Sequence, residues 1–227
     1  EGPVHIHAAE QEAEVEEIMA AYGCRPVEML LDLGIDRRWC LVHATQMTED
    51  EAVAFAKSDA VAGLCPVTES NLGDGIFEGP AFLGAGGAFG VGSDSNLRVD
   101  LAEELRTLEH SQRLRDRARA LMASPHVSCG RTLWEGAARG AAQALGRGTG
   151  ALALGEWGDI VTIDAEDIAV AGLSGDRLLD AHVFAGPAPV VDLWSAGRHV
   201  VMEGHHPARH AVASRYREVA SRLRADI

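Results

Sequence analysis

The chain has 227 residues, of which 47% are hydrophobic and 24% are charged, so it can bury one sizeable core and a small second module. Its 34 acidic and 20 basic side chains give a formal net charge of -14, which would repel nucleic-acid phosphates and anionic lipid surfaces. The longest apolar stretches, 60–66 and 82–92, are much shorter than the roughly 20 residues that span a bilayer. We therefore expect neither nucleic acid nor a membrane as a partner.

The cysteines and the first residues bear on the cellular compartment. Cys24, Cys40, Cys65 and Cys129 form no C-x-x-C pair, which favours reduced core thiols over disulfides or a thiolate zinc site. Residues 1–7 contain no initiator Met and no charged leader before an apolar run, so they do not resemble a signal peptide. We expect a cytoplasmic protein. Because the chain opens on a predicted strand, we also expect that upstream sequence precedes it.

Short apolar strands alternate with helical patterns over the first half of the chain, which is typical of βα units around a parallel sheet. The predicted strands are 4–8, 39–43, 60–65 and 88–92. An apolar stripe from Val15 to Tyr22 is expected to pack on the outside of the sheet, and Thr48 and Glu51 have capping-box spacing. Four such units are half of an eight-stranded barrel.

The pattern changes after a long predicted helix around Leu105. Between 155 and 204, brief strands such as 159–164 and 198–202 are separated by turn residues, which indicates a small β module. The tail, 208–227, has its apolar residues on one face and is predicted to be helical.

Three predicted strands end in residues of metal-site or acid–base type: His7 with Glu10, then His43, then Asp94. Because the carboxyl ends of parallel barrel strands open on one face, we expect these side chains to converge in one pocket. Imidazole and carboxylate groups suit a metal such as Zn²⁺, which can activate a water to attack an unsaturated carbon. Glu10 could then pass a proton to the substrate nitrogen, and Asp94 could ligate weakly and take the proton of the water.

Each of these residues also has a simpler interpretation. A lone histidine on an apolar strand, such as His7 or His43, is more often a satisfied core residue than a ligand. Asp94 can be a helix N-cap, and Glu10 can begin an acidic helix face. His5 and His7 share a strand face and resemble paired metal histidines, but too few strands follow for a first barrel strand. We therefore favour His7 as the ligand and place His5 deeper in the core or behind the site.

Three short motifs occur in order: His7-x-x-Glu10, His43-Ala44-Thr45 and Ser93-Asp94-Ser95-Asn96. In this order they resemble the amidohydrolase superfamily, in the branch of chlorohydrolases and aminohydrolases that includes guanine deaminase. Two stretches, 65–77 and 103–109, are similar to the formimidoylglutamate deiminase family, and the first is the more specific. Residues 155–161 resemble the return of the chain into the β-sandwich module of that family.

The resemblance implies an α/β fold, the second half of a metal-dependent (β/α)8 TIM barrel with strands five to eight. A part of a small β-sandwich module and a C-terminal helix would follow. On this view 1–150 form the barrel half and 151–227 form the β module with its helix, with the boundary near 148–155.

The resemblance also implies residue roles. His7 would be a zinc ligand, Glu10 the proton shuttle, and His43 a group that polarises the substrate or orients the water. Asp94 would be the last ligand and the general base, and Ser95 would touch the substrate. One Zn²⁺ per chain is implied, with another divalent metal possible. Two further ligands, from a His-x-His motif, and the groups that hold the glutamate carboxylates would lie upstream.

Two positions refine the resemblance. Gln46 stands where the family has a histidine in its His-Ala-Thr-His run. Some relatives bridge two metals with a modified lysine, but Lys57, the single lysine of the sequence, lies in a predicted helix well after His43. The sequence therefore gives no support for a binuclear site.

The resemblance implies a hydrolase acting on carbon–nitrogen bonds, other than peptide bonds, of linear amidines. It would convert N-formimidoyl-L-glutamate and water to N-formyl-L-glutamate and ammonia in histidine degradation. One alternative is a related aminohydrolase acting on guanine or another heterocycle, and a second is a metal-free scaffold. The expected partners are a small-molecule substrate, the upstream half of the same polypeptide and a second copy in a homodimer.

Overall fold

The computed structural model describes residues 2–95, 98–124 and 126–225. Four strands form one parallel sheet in the order β1-β2-β3-β4: β1 Val4–Ala8, β2 Trp39–His43, β3 Val61–Leu64 and β4 Ala88–Val91. The predicted set of parallel βα units is therefore confirmed, and each strand end lies within one residue of the predicted one. In register, Ala8 lies beside His43, so the carboxyl ends of β1 and β2 meet at one edge of the sheet.

The helices are α1 Glu12–Tyr22, α2 Pro26–Asp32, α3 Glu49–Ala56, α4 Pro66–Leu72, α5 Gly79–Gly84, α6 Leu101–Asp116, α7 Cys129–Ala144, α8 Asp176–Phe184 and α9 Arg209–Ala225. The predicted capping box is present, since the Thr48 hydroxyl accepts from the Glu51 N–H and the Glu51 carboxylate accepts from the Thr48 N–H. The prediction for the α1 stripe is wrong in part. Val15 is buried, but Met19 and Tyr22 are exposed because α1 packs mainly against α2 at the edge of the sheet.

Phenylalanines dominate the core between the sheet and its helices. Phe55, Phe77, Phe82 and Phe89 are almost completely buried, and the ring of Phe82 lies 5.1 Å from those of Phe55 and Phe77. Burying a side chain of this kind stabilises the fold by about 1.5–3 kcal/mol. This packing holds the sheet whose edge carries the polar residues.

The backbone of helix α7 packs directly against the backbone of β4, because a glycine stands at the contact. A Cβ on Gly140 would lie 1.9 Å from the carbonyl oxygen of Phe89, much closer than van der Waals contact allows. The Ala- and Gly-rich sequence from 136 belongs to α7 as far as Ala144, and its small side chains permit this close packing. This contact fixes β4, which leads directly into the turn at Asp94.

Strand β1 is an open edge of the sheet. Residues 5–7 are exposed, with Ile6 at 37%, whereas most of β2 and β3 is buried. His5 is exposed as well, and its Nε2 lies 2.8 Å from the carbonyl oxygen of Ala144 at the end of α7. The prediction that His5 lies in the deeper core is therefore wrong, because an edge strand without a neighbour leaves this part of the sheet open.

A second sheet is antiparallel, in the order β5-β6-β7: β5 Ile160–Ile163, β6 Val190–Ser195 and β7 Arg198–Val201. Helix α8, between β5 and β6, packs against α6 and α7. There the His182 Nδ1 accepts a hydrogen bond from the Ala188 N–H at 3.1 Å, and burial lowers the pKa of His182. The boundary at 148–155 falls between α7 and β5 and stays a prediction.

The predicted C-terminal helix is present as α9, and its apolar residues face solvent. Val212, Tyr216 and Leu223 are each more than half exposed, so α9 has no packed face among the described residues. None of the helices in the described ranges combines the length and apolar composition needed to cross a membrane.

Candidate metal and catalytic site

Three of the predicted residues converge at the carboxyl edge of the sheet. The His7 Nδ1 lies 3.2 Å from the His43 Nε2, and Glu10 carboxylate oxygens lie 3.7 Å from the His43 Nε2 and 3.9 Å from the His7 Nδ1. One potential ligand atom from each residue fits within a 4.8 Å cluster. Two imidazoles and a carboxylate at this spacing can hold a divalent metal or exchange protons.

The backbone at this edge adopts left-handed conformations that non-glycine residues rarely take. Ala9, His43, Ala44 and Asp94 have φ values of 50°, 69°, 52° and 45°. Such conformations cost about 1–3 kcal/mol each and persist where surrounding contacts hold them. They occur at or just after the carboxyl ends of β1, β2 and β4, among the residues that the sequence predicts for the site.

Hydrogen bonds tie the loop after β1 to the loop after β2. The Ala44 N–H donates to the Ala8 carbonyl at 3.1 Å, and the Thr45 hydroxyl donates to the Glu10 carbonyl at 2.6 Å. Gln46, the departure from the family motif, donates its N–H to the Ala9 carbonyl at 2.9 Å. The main chain around Glu10 is therefore held by its neighbour across the sheet.

His43 is completely buried, whereas the His7 side chain is 59% exposed. The His43 Nδ1 lies 3.3 Å from the Glu69 Oε1. Burial alone would lower the pKa of His43, but the hydrogen bond with Glu69 and the negative charges of Glu10, Glu69 and Asp94 outweigh it and raise the pKa. The pocket is therefore negatively charged and favours a cation or a protonated imidazole.

Asp94 lies in the turn after β4 and stands apart from the cluster. Its negative charge acts on His43, yet Asp94 is exposed and belongs to neither ligand group found among the described residues. Its role as a ligand stays a prediction. The N-cap interpretation is wrong, because Asp100 caps α6 by accepting from the Glu103 N–H at 2.8 Å. Ser95 is exposed beside Asp94.

Asn96, the last residue of the Ser-Asp-Ser-Asn motif, lies outside the described residues. Glu69 was absent from the predicted site, although it lies in the stretch 65–77 that carries the specific family resemblance. His43, Cys65 and Glu69 form a second group of potential ligands. Burial raises the pKa of the Cys65 thiol to about 12, so Cys65 is a neutral core thiol, as predicted.

Histidines and a carboxylate at the carboxyl ends of parallel βα strands are typical of α/β barrels that bind a metal ion. The chain belongs to the amidohydrolase family, because the profile described as "Amidohydrolase family" matches residues 2–200. The sheet is thus the half-barrel, strands five to eight, that the resemblance implied.

Known relatives span about twice the length of this chain. It is 46% identical over 224 residues to the formimidoylglutamate deiminase of Pseudomonas aeruginosa, which covers 97% of this chain and 49% of that protein. The crystal structure of an amidohydrolase from Brucella melitensis is 46% identical, with a TM-score of 0.92 over 98% of this chain and 49% of that one. An adenosine deaminase from Xanthomonas campestris with bound zinc is 27% identical, with a TM-score of 0.86 over 98% and 51%.

Proposed function

We propose that the chain is the C-terminal half of a zinc-dependent enzyme that hydrolyses N-formimidoyl-L-glutamate to N-formyl-L-glutamate and ammonia in histidine degradation. The observation that carries the proposal is the convergence of His7, Glu10 and His43 in a chain 46% identical to a formimidoylglutamate deiminase. Four free cysteines, three of them buried, fit a reducing cytoplasm.

The donor set fits a zinc ion. Imidazole nitrogen and carboxylate oxygen are donors that zinc prefers, and His7, whose side chain is 59% exposed, keeps its Nδ1 beside Glu10 and His43, the groups proposed to act on the substrate. We assign His7 and Asp94 as the ligands from this chain, with one metal per chain and two more ligands from an upstream His-x-His motif. When bound, zinc supplies Lewis-acid activation of a water and of the substrate's carbon–nitrogen bond.

The residues of this chain divide the proton transfers of the reaction. Asp94 takes a proton from the attacking water, whose oxygen bonds to the formimino carbon. Glu10, whose carboxylate reaches both histidines, relays both protons of that water to the formimino nitrogen, the first taken up by Asp94 and the second from the new hydroxyl group. The bond from the carbon to this nitrogen then breaks, ammonia leaves and the formyl carbonyl forms. The buried His43 presents its Nε2 to the same space and polarises the substrate. Ser95, exposed beside Asp94, contacts the substrate.

An upstream half of the same polypeptide is proposed to complete the barrel and to hold the glutamate carboxylates. The exposed edge of β1, with Ile6 at 37%, supports a further strand there, because unpaired edge strands favour pairing. The open side of His7 would close at the same time. We propose a homodimer as the assembled form.

A related aminohydrolase acting on guanine or another heterocycle is the second candidate. The structural similarity to an adenosine deaminase with bound zinc favours it, since that enzyme acts on a heterocycle. The two candidate functions are distinguished by the rate of ammonia release, measured side by side from N-formimidoyl-L-glutamate and from guanine.

The first test is the zinc content of the intact polypeptide together with ammonia release from N-formimidoyl-L-glutamate. One zinc per chain with fast release supports both metal and substrate. Zinc without release retains the amidohydrolase and favours a heterocyclic substrate. Absence of metal and activity would instead favour the scaffold.

A further inference from the structure

A second buried carboxylate lies behind His43, on the side away from His7. Glu69 is only 4% exposed, and its Oε1 lies 3.3 Å from the His43 Nδ1 and accepts the Cys65 N–H at 2.8 Å. No lysine or arginine of the described ranges forms an ion pair with it. Since a buried carboxylate is costly unless it is hydrogen-bonded, the imidazole of His43 is its one charge-capable partner there.

The fold holds Glu69 in this position through the first turn of α4. This helix begins at Pro66, directly after β3, and the Glu104 carboxylate on α6 accepts the Val67 N–H at 2.9 Å. On the other side, the Thr68 hydroxyl donates to the Ser93 carbonyl at 2.8 Å. The helix start is thus tied both to α6 and to the turn that carries Asp94. Glu69 follows from this anchored turn and has little freedom to swing away from His43.

An ionised carboxylate accepts hydrogen bonds and cannot donate them. A hydrogen bond between Glu69 and His43 therefore requires a proton on the His43 Nδ1. The ring is then oriented with the Nε2 toward His7 and Glu10. We propose that Glu69 is a positioning residue that fixes the orientation and the proton location of His43. Glu69 does not reach the reacting atoms, so it acts through His43. Its catalytic consequence rests on the proposed function.

Glu69→Gln in the intact zinc-loaded polypeptide tests the proposal, with Glu109→Gln as the matched control. Glu109 is equally buried and is bonded to the backbone of Leu121 and Met122 and to Arg113, away from the cluster. For Glu69→Gln we expect kcat to fall about 10- to 100-fold with unchanged zinc content and little change in KM. Glu109→Gln should lower the melting temperature and leave kcat unchanged. An unchanged kcat in a folded Glu69→Gln enzyme would overturn the proposal.

Nitrogen-15 NMR of the imidazoles gives a second readout that needs no substrate. The His43 signal is assigned by its loss in His43→Gln. In the unmodified protein we expect a proton on the His43 Nδ1, and in Glu69→Gln a mixture of proton positions, because an amide can donate or accept. A neutral ring protonated only at Nε2 would overturn the proposal even if the enzyme is active. The Nδ1 proton without turnover would retain the positioning and reject the proposed function.

Discussion

Replacing Glu10 by Gln removes one negative charge and one proton-transfer group while keeping the shape of the side chain. The Glu10 N–H remains bonded to the Glu14 carboxylate at 2.8 Å, so the loop after β1 should keep its conformation. Positioned acid–base groups contribute about 10²–10⁴-fold to rate, or about 2.7–5.4 kcal/mol of activation free energy. Because Glu10 reaches both His7 and His43, we expect kcat to fall by an amount in this range with zinc retained.

The assay is ammonia release from N-formimidoyl-L-glutamate by the intact polypeptide, with zinc content measured on the same sample. Glu12→Gln is the matched control, because it removes the same charge from an exposed position two residues further along and should leave the rate unchanged. A Glu10→Gln enzyme that binds zinc and turns over at the original rate would refute the assignment of Glu10 as proton shuttle.

Four further substitutions test the metal, a buried histidine and the packing of β4. His7→Ala and Asp94→Ala should each abolish zinc binding and turnover, as measured by metal analysis. His182 has its pKa lowered by burial, so its contribution to stability is present above its unfolded pKa and is lost as pH falls through its folded pKa; His182→Gln should therefore reduce the loss of melting temperature on acidification. Gly140→Ala should lower the free energy of unfolding by about 1–3 kcal/mol or more, because its Cβ would meet a backbone carbonyl.

Each of these changes has a control or a contrary outcome. Zinc retained at full occupancy in Asp94→Ala would remove Asp94 from the ligand set. His210→Gln, in exposed α9, should leave the pH dependence of melting unchanged, and an equal effect of both substitutions would contradict the prediction for His182. Gly84→Ala is the control for Gly140→Ala, because a Cβ on Gly84 would meet no atom within 4 Å. It should hardly change the free energy of unfolding measured with denaturant.

The parts of the fold that sequence could predict are those governed by local patterns. The strand from Trp39 to His43 reads as an apolar run with a polar end, and a parallel sheet then brings its end beside that of β1 without any knowledge of contacts. The same reasoning was wrong for His5 and for Tyr22. His5 is exposed because β1 is the edge strand of the described sheet, and Tyr22 is exposed because α1 packs mainly against α2; local periodicity carries no information about either arrangement.

Contacts between distant residues decided what sequence reasoning missed. Glu69 reads as an ordinary acidic residue in the first turn of a helix, a position that acidic side chains favour. Its part in the site follows from the anchoring of α4 by Glu104 and by the Ser93 carbonyl, which lie 24 or more residues along the chain. The close packing of α7 on β4 at Gly140 is likewise a contact between distant residues that a local pattern does not show.

Burial separates the groups that this chain orients from those that it leaves open. His43 is completely enclosed and Glu69 is 4% exposed, so contacts among the described residues set their geometry: β2 carries His43, and α4, tied to α6 and to the turn after β4, carries Glu69. His7 lies on the open edge with its side chain 59% exposed, so its orientation is less constrained. We infer that the proton-handling groups are organised by these four βα units. Tight metal binding and substrate choice would then depend on residues that pack against β1. Glu69→Gln should therefore lower kcat with zinc retained, whereas His7→Ala should abolish both zinc binding and turnover.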